Sequence, residues 1–354
     1  MKPHLHKGRG AVSGHDGRFA RRSVEFTADE AWSRADLAPA TTLTAMLAGK
    51  IIASNSSPDI PFNRSINPYL GCEHGCIYCY ARPSHSYLDL SPGLDFESKI
   101  FYKPNAAERL LAAWQQPGYV CEPITIGANT DPYQPAEKKL GITRSLLELF
   151  LKHRHPVSLI SKSNLIARDI DLLAALSREN LCSVAISMPS MDRSLKRIME
   201  PRVPSAESRL QTIRHLHAHG IPVSVLVAPV IPAINDHEIE AIVAAVAAAG
   251  ARQVHYIFLR LPHEVSVLFE KWLAVHFPER AAHVMSLVRE ASGGRNYEPQ
   301  FGVRQRGRGP YADMLGQRFR AACRKNHVND GRYDEKLSCA LFEPPGQRQL
   351  GFDL

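Results

Sequence analysis

Short apolar runs alternate with helical segments through the middle of the chain, and this alternation constrains the fold more than any other feature. The runs have the length and β-branched content of strands. They span residues 65–70, 123–128, 156–161, 182–187, 222–228 and 253–259. The helical segments between them are residues 104–115, 142–153, 167–179, 205–219 and 236–249. Such alternation favours a parallel sheet with crossover helices.

Six strand–helix units are too few for a closed eight-stranded barrel. We therefore predict an α/β fold, an open partial (β/α)6 barrel with N- and C-terminal extensions. The helix at 236–249 has the clearest ends, because Asn235 and Glu238 are spaced as a capping box and Gly250 follows as a stop. Gly220 ends the preceding helix in the same way.

Basic residues are concentrated near the two ends of the chain. The formal net charge is +8, of which residues 1–22 carry +5 and residues 304–325 carry +6, which leaves −3 for the rest. We predict three parts: a basic arm and lead-in (1–60), the partial barrel (61–265) and a helical, basic extension that is a candidate substrate platform (266–354).

The basic ends suit a polyanion such as nucleic acid, although a solvated tail has the same composition. Arg304, Arg306 and Arg308 alternate with Gln and Gly in "RQRGRG", which is typical of a flexible phosphate-binding loop. The same letters also describe a solvated connector.

No run of about eighteen apolar residues is present, and the basic N-terminus is not followed by the apolar segment of a secretory signal. We expect a cytoplasmic protein without a membrane partner. In that compartment the seven cysteines do not suggest a disulfide framework.

Three cysteines lie close together after the first apolar run, in "GCEHGCIYCYARPSH": Cys72, Cys76 and Cys79. A tetrahedral zinc site needs four ligands, and thiolates also hold iron–sulfur clusters. Three thiolates on a four-iron cube would leave one iron open to another ligand. Zinc held by the three cysteines with His74 or His85 is the alternative that these residues leave open.

Polar segments rich in Gly and Pro follow each of the six predicted strands. They are the cysteine loop, "ANTDPYQP", "SKSN", "SMPSMD", "APVIPAIND" and "LRLP". Ligands of parallel sheets bind at the carboxyl ends of the strands. We therefore predict that the site lies at this edge of the sheet.

The spacing Cys72-x-x-x-Cys76-x-x-Cys79, with the aromatic Tyr78 before the last cysteine, resembles the signature of the radical S-adenosylmethionine (SAM) superfamily. The resemblance covers about residues 65–265. Within the superfamily, the chain is similar to an uncharacterised bacterial branch grouped with spore photoproduct lyase and DNA repair photolyase-like proteins. The similar segments are "GLDFESKI", "GANTDPYQPAE", "ARDIDLL", "EPRVPS" and "GVRQRGRGPYADML".

The resemblance implies a [4Fe–4S] cluster held by the three cysteines, with SAM chelating the fourth iron. One electron from an external donor such as flavodoxin or ferredoxin would cleave SAM to a 5′-deoxyadenosyl radical that abstracts hydrogen from a substrate. We expect a radical SAM enzyme of unknown substrate, with nucleic acid as a candidate. The alternatives are a zinc or structural iron–sulfur protein that binds nucleic acid, and a peptide-modifying radical SAM enzyme.

The resemblance also implies contacts to SAM. Asn129, Thr130 and Asp131 follow the second strand and are placed for the amino group, for which the Asp131 carboxylate is a suitable acceptor. An Asp-Pro turn is the alternative for this segment. Lys162 follows the third strand, where the related branch has a lysine that reaches the SAM carboxylate.

Further contacts are implied by the next two strands. Ser187 ends the fourth strand, near the ribose or methionine part of SAM. Val230 or Ile231 would pack on the adenine ring, and Tyr78 would lie near its edge. These apolar residues would be buried in a core in any case.

One segment departs from the related branch. Spore photoproduct lyases similar to this chain have a cysteine in the loop after the second strand, where this chain has Ala128-Asn129-Thr130-Asp131. The missing thiol argues against the lyase reaction and leaves the SAM chemistry unaffected. In "EPRVPS", Glu200 and Arg202 are either an ion pair or cofactor contacts.

Overall fold

The computed structural model describes residues 6–19, 39–331 and 336–346. The strands are β1 (Thr42–Ala45), β2 (Ile52–Ser54), β3 (Arg64–Ile66), β4 (Tyr69–Leu70), β5 (Lys99–Tyr102), β6 (Ile124–Ile126), β7 (Val157–Ser161), β8 (Cys182–Ser187), β9 (Val223–Val230) and β10 (Gln253–Phe258).

The α-helices are α1 (Leu94–Ser98), α2 (Ala106–Trp114), α3 (Glu137–Leu140), α4 (Ile142–Lys152), α5 (Ile170–Arg178), α6 (Arg193–Met199), α7 (Ala206–Ala218), α8 (Ile239–Ala248), α9 (Glu264–His276), α10 (Ala281–Ala291) and α11 (Pro310–Lys325). Three 3₁₀ turns cover Arg82–Leu88, Asn164–Asp169 and Asp236–Glu238.

The main sheet has seven strands in the order β10-β9-β8-β7-β6-β3-β2. Neighbouring strands from β3 to β10 in this sheet are parallel, and β2 is antiparallel to β3. Helices connect the parallel strands, as the right-handed crossover of such sheets requires. This arrangement confirms the predicted α/β class with six parallel strands in an open sheet.

The first predicted strand, 65–70, is not continuous. β3 ends at Ile66, and β4 joins a second sheet in the order β1-β5-β4. Pro68 lies at the break, where it has no N–H for a ladder hydrogen bond and its carbonyl accepts from the Lys103 amide at 3.0 Å. The chain therefore leaves the main sheet just before the cysteine loop.

The predicted capping box before α8 is wrong. The Asn235 side chain caps no helix; it accepts from the Ile231 amide at 2.6 Å and donates to the carbonyls of Pro189 and Pro229. The Glu238 carboxylate also turns away, and binds the Ser190 hydroxyl and the amides of Met191 and Asp192. Both residues instead fix the loops that follow β8 and β9.

Two large apolar clusters and a small third one, which contains Cys72, Ala81 and Phe96, form the interior of the described structure. The largest lies between the main sheet and its helices. The second contains Cys76, Ile77 and Tyr78 together with residues of α9 and α10. The Trp272 indole in α9 donates to the Ile198 carbonyl at 3.1 Å. Helices α9 and α10 therefore pack against the cysteine loop.

The described parts of both flanks pack on this body. Residues 6–19 contact the cysteine loop. Residues 336–346 lie at the other end of the sheet, where the ring centres of Phe342 and His155 are 4.9 Å apart. The three-part division at residues 60 and 265 remains a prediction. Within the described ranges, no helix combines the length and apolar character needed to cross a bilayer.

Candidate functional site

The three clustered cysteines lie in a tight loop after β4. Cys72 and Cys76 are buried, Cys79 is partly buried, and all three are free thiols. The Cys72 amide donates to the Phe96 carbonyl at 2.9 Å, and the Cys79 amide donates to the Cys76 carbonyl at 3.2 Å. These backbone hydrogen bonds hold the loop in place, and the Cys76 thiol itself donates to Glu200 Oε1 at 4.0 Å.

A buried carboxylate, Glu97, holds this loop to the N-terminal arm. It forms an ion pair with Arg82, and it accepts hydrogen bonds from the amides of Gly10 and Ala11 at 3.0 and 2.8 Å. The Arg82 guanidinium also donates to the Cys76 carbonyl at 3.0 Å. The arm, which the sequence predicted only as a basic lead-in, is therefore part of the support of the cysteine loop.

The arm approaches the loop so closely that two glycines are required. A Cβ atom at Gly10 would lie 1.9 Å from the Gly75 carbonyl oxygen. Gly75 has a φ of +66°, and a Cβ there would lie 2.8 Å from the Glu97 carboxylate. A side chain at either position would separate the arm from the loop.

Two of the thiols, those of Cys76 and Cys79, are held in an environment that favours their neutral form. Burial and the Glu200 carboxylate raise the pKa of Cys76 well above its usual value, against the opposing effect of Lys162. Burial and Cys72 likewise raise the pKa of Cys79, although Arg82 opposes them. A metal that binds here must displace the protons, and its positive charge would compensate the buried thiolates.

This donor set fits a four-iron cube. A cube distributes its ligands over separate iron atoms, so the thiolates need not meet at one point. No three His, Cys, Asp or Glu side chains in the described ranges are arranged to hold a single metal ion. His74 faces Asp131, and His85 Nε2 is 3.0 Å from the Lys99 carbonyl. The two histidines that the zinc alternative would use therefore already have protein partners.

Lys162 is a cation of the site that has no ion pair among the described residues. It follows β7, and its amide donates to Asp131 at 2.7 Å. Burial would lower the pKa of its ammonium, but Cys76, Glu200, Asp131 and Cys79 outweigh burial and raise it. The ammonium is therefore charged, and the charges of Cys76, Cys79 and the two carboxylates act on it.

Asp131 was predicted to accept from the SAM amino group, but the protein already occupies its oxygens. Oδ1 accepts from the Ser161 hydroxyl at 2.8 Å and the Tyr133 amide at 2.9 Å. Oδ2 accepts from the Lys162 amide and lies 3.3 Å from His74 Nδ1. Burial opposes ionisation, yet His74 and these hydrogen bonds hold the pKa of Asp131 at about 2. The geometry favours a structural role for this carboxylate.

His74 is the buried partner of that carboxylate. Burial would lower its pKa, but Asp131 and the Cys72 sulfur outweigh burial and raise the pKa of His74 to about 10. From the motif alone, His74 was only an alternative zinc ligand. Its interaction with Asp131 could not be inferred from the local motif.

The other predicted SAM contacts lie along the same edge of the sheet. Asn129 is exposed at the rim, and the buried Thr130 hydroxyl donates to the Tyr69 carbonyl at 2.9 Å. The Ser187 hydroxyl donates to the Ala228 carbonyl at 3.3 Å. Val230 belongs to the larger core, whereas Ile231 belongs to the cluster of Cys76 and Tyr78. Their contacts to SAM remain predictions.

A buried polar chain lies beside Cys76. The Tyr78 hydroxyl donates to Glu200 Oε1, and Glu200 Oε2 pairs with Arg209 at 2.5 Å. Arg209 also donates to the Ser187 carbonyl at 2.8 Å. An ion pair between Glu200 and Arg202 is therefore wrong; Arg202 instead pairs with Glu73 at 3.1 Å.

The sequence missed an aromatic group at the mouth of the site. Tyr80, directly after Cys79, is 44% exposed, and its hydroxyl donates to the Ala128 carbonyl. The Arg260 guanidinium carbon lies 5.3 Å from the centre of the Tyr80 ring and 5.9 Å from that of Tyr297. The segment "LRLP" after the sixth strand was the only signal for this group.

The "RQRGRG" segment is not the free loop that its composition suggested. Arg304 forms an ion pair with Asp59, and Arg308 pairs with Glu298 at 3.5 Å. Backbone hydrogen bonds from Arg306 and Gly307 to the Val303 carbonyl close its turns. Of the three arginines, Arg306 alone is exposed without an ion pair among the described residues.

Solved structures with a similar fold include mutants of spore photoproduct lyase. One has a TM-score of 0.57 at 14% identity and covers 87% of this chain and 86% of that chain. Another, which contains bound AdoMet and dinucleoside spore photoproduct, has a TM-score of 0.56 at 15% identity and covers 80% of this chain and 79% of that chain. At these identities the likeness concerns the fold.

Sequence comparisons give the family. An uncharacterised protein of Mycobacterium tuberculosis (strain H37Rv) is 35% identical over 232 residues, which are 65% of this chain and 68% of the relative. One of Methanocaldococcus jannaschii is 30% identical over 173 residues, 49% of this chain and 62% of the relative. The sequence profile of the Radical SAM superfamily matches residues 66–246. This chain therefore belongs to the radical SAM superfamily.

Proposed function

We propose that this radical SAM enzyme holds a [4Fe–4S] cluster on Cys72, Cys76 and Cys79 and binds the carboxylate of SAM with Lys162. The position of Lys162 carries the proposal. Its ammonium lies near the thiols, while the nearby carboxylates are paired elsewhere, Glu200 with Arg209 and Asp131 with His74. A charged donor left without a direct ion pair in the described structure suits an anionic ligand.

When bound and reduced by an external one-electron donor, the cluster and SAM supply a 5′-deoxyadenosyl radical that abstracts hydrogen from the substrate. The residues of this chain position that chemistry and protect it from water. Lys162 orients the SAM carboxylate. The chain of Tyr78, Glu200 and Arg209 fills the space beside Cys76 with satisfied polar groups, and the arm covers the loop from the other side.

We propose nucleic acid as the substrate class. A structure of spore photoproduct lyase with the same fold contains a dinucleoside photoproduct, and aromatic and arginine side chains lie at the mouth of the site. The reaction itself differs from the lyase reaction in its hydrogen donor, because residues 128–131 contain no thiol. Cys121 and Cys182 do not replace that thiol, since they lie before β6 and at the start of β8, at the opposite end of the sheet.

Metal analysis after anaerobic reconstitution tests the cluster. We expect about four iron and four sulfide per chain, with loss of both when Cys72, Cys76 or Cys79 is replaced by Ala. Cys121→Ala is the matched control, because this thiol is also partly buried but lies away from the loop. Stoichiometric zinc without iron in the anaerobic wild type would contradict the proposal.

Isothermal titration with SAM tests Lys162. Lys162→Ala removes a charge-assisted contact worth about 1.5–3 kcal/mol, so we expect SAM to bind roughly 10- to 150-fold more weakly at unchanged iron content. Lys196→Ala is the control, because this nearby lysine donates to the Pro201 carbonyl at 3.3 Å. Equal affinities for wild type and Lys162→Ala would remove Lys162 from the site.

A further inference from the structure

Three aromatic rings and two arginines form two cation–π groups at the carboxyl edge of the sheet, one around Arg260 and one around Arg304. We call these two groups together the mouth platform, which consists of Tyr80, Arg260, Tyr297, Phe301 and Arg304. None of them was a predicted site residue apart from Arg304. They come from three distant segments of the chain.

Arg260 joins the first two rings. Its guanidinium carbon lies 5.3 Å from the Tyr80 ring centre and 5.9 Å from that of Tyr297, and it donates to the Tyr297 hydroxyl at 3.3 Å. Its Nε atom is buried and has no hydrogen-bond partner among the described residues. A buried donor without an acceptor is costly, and a role of the Arg260 guanidinium in ligand binding would explain why this cost is retained.

Phe301 and Arg304 form the outer part of the platform. Phe301 is 51% exposed, and the Arg304 guanidinium carbon lies 4.5 Å from its ring centre. Asp59 fixes this pair, because it binds the Arg304 guanidinium and accepts from the Gly302 amide at 2.6 Å. Burial would raise the pKa of Asp59, but the Gly302 amide, Arg304 and the positive charge of Arg260 outweigh burial and lower it. The charges of both arginines therefore act on this carboxylate.

The platform opens beside the proposed cluster. Tyr80 is the residue after Cys79, and its hydroxyl donates to Ala128 in the loop that follows β6. Arg260 follows the end of β10, and the Phe258 amide donates to the Gln305 carbonyl at 2.7 Å. The 297–305 segment is thereby attached to the carboxyl edge of the sheet, where parallel sheets bind their ligands.

This chemistry matches single-stranded nucleic acid better than a peptide. The exposed rings of Tyr80 and Phe301 and the half-buried ring of Tyr297 provide stacking surfaces for bases. The arginines add cation–π attraction and phosphate contacts. The nearest carboxylates, Asp59 and Glu298, are already paired with Arg304 and Arg308. A peptide that extends the sheet would need the free edge of β10. At that edge the Phe258 amide already donates to the Gln305 carbonyl.

We propose that the mouth platform binds an unpaired nucleobase of the substrate, stacked on Tyr297 and Phe301, with Arg260 on the adjoining phosphate. This inference rests on the proposed nucleic-acid substrate. It specifies a single-stranded or locally opened nucleic acid, because a base inside a duplex does not expose its face.

The test is fluorescence anisotropy of a labelled twelve-nucleotide oligothymidylate with the reconstituted protein and SAM under anaerobic, low-salt conditions. We expect tighter binding of this single strand than of a duplex of equal length. Tyr297→Leu and Phe301→Leu should each weaken binding about 5- to 100-fold. Tyr297→Phe keeps the ring and should bind within about threefold of the wild type.

Charge is tested separately. Arg260→Gln should reduce the salt slope of log affinity by about one, whereas Arg214→Gln, an exposed arginine on α7 paired with Glu207, should not change it. Wild-type binding with equal affinity for single strand and duplex, or unchanged binding by both Leu variants, would overturn the inference. So would the absence of any binding by the wild type.

The same wild-type preparation separates this inference from the proposed cofactor chemistry. Its iron content and its reductive cleavage of SAM without oligonucleotide are measured before the binding assay. Loss of those two properties contradicts the cluster assignment, whereas intact SAM cleavage without selective oligonucleotide binding contradicts only the platform.

Discussion

Arg82 and Glu97 form an ion pair beneath the cysteine loop in which both side chains are completely buried. The pair joins three segments, because Arg82 also binds the Cys76 carbonyl and Glu97 binds the amides of Gly10 and Ala11. A buried charge that loses its partner is strongly destabilising. The support of the cysteine loop therefore depends on a carboxylate outside the cysteine motif.

Glu97→Gln should lower the free energy of unfolding by about 3–5 kcal/mol, because Arg82 would remain buried without its counter-charge. Urea unfolding of the apo-protein measures this change. Glu207→Gln removes an exposed pair with Arg214 and should change stability by less than about 1 kcal/mol. Equal stability of the two variants would contradict the role of Glu97.

Asp131→Asn should destabilise the apo-protein by about 2–4 kcal/mol, because the amide cannot accept from all the donors that now face the carboxylate. Urea unfolding without iron or SAM is the measurement. If Asp131 served only the SAM amino group, this variant would have wild-type stability in the absence of SAM.

The buried His155 should make stability fall in acid. Its Nδ1 donates to the Pro156 carbonyl and its Nε2 accepts from Tyr119, both at 2.9 Å. Burial, assisted by Arg64 and His153 against the Pro156 carbonyl, lowers the pKa of His155 to about 4. The unfolded value is about 6.5, so the unfolded state takes up the proton first, and stability present above pH 6.5 is lost as the pH falls towards 4.

Between pH 7 and pH 5 this group should account for a loss of about 2 kcal/mol. His155→Phe, which keeps a ring beside Trp114 but cannot titrate, should be less stable than the wild type at pH 7 and lose less stability on acidification. Urea unfolding of both apo-proteins across this range gives the comparison. Parallel stability curves would show that His155 does not titrate as expected.

Arg304 and Arg306 should respond differently to replacement by Ser. Arg304→Ser leaves Asp59 without its ion pair and should cost about 1–3 kcal/mol. Arg306 is exposed, so Arg306→Ser should stay within about 0.5 kcal/mol. Thermal unfolding of the two variants measures this difference, and equal melting temperatures would contradict the ion pair as a structural element.

The main sheet was predictable because its parallel strands are apolar runs that stand out from the polar loops. The short strands β1, β2 and β5 were not, since three or four residues give no periodicity and their pairing depends on partners elsewhere in the chain. The break at Pro68 could have been expected from the missing N–H of proline. The capping box failed because the local spacing of Asn235 and Glu238 is outweighed by buried carbonyls and amides of other loops.

The candidate site was predictable where its signal is local. The spacing of the three cysteines in one loop can be recognised in the sequence, and Lys162 follows a strand that is also recognisable. The partners of Asp131 and Glu200 are set by tertiary packing, which places His74 and Arg209 beside them. The mouth platform combines residues from three segments, so no single stretch of sequence could indicate it.

The close approach of Gly10 to Gly75 has a consequence for the interpretation of sequence variants. Position 10 lies far outside residues 66–246, the segment that matches the superfamily profile, yet any side chain there would meet the cysteine loop. A Gly10→Ala substitution should therefore have an effect similar to that of a disruptive substitution within the cysteine loop. The stretch of sequence needed to keep the cysteine loop intact is therefore longer than the matched segment. Substitutions near the start of the chain should be interpreted together with substitutions of the cysteines.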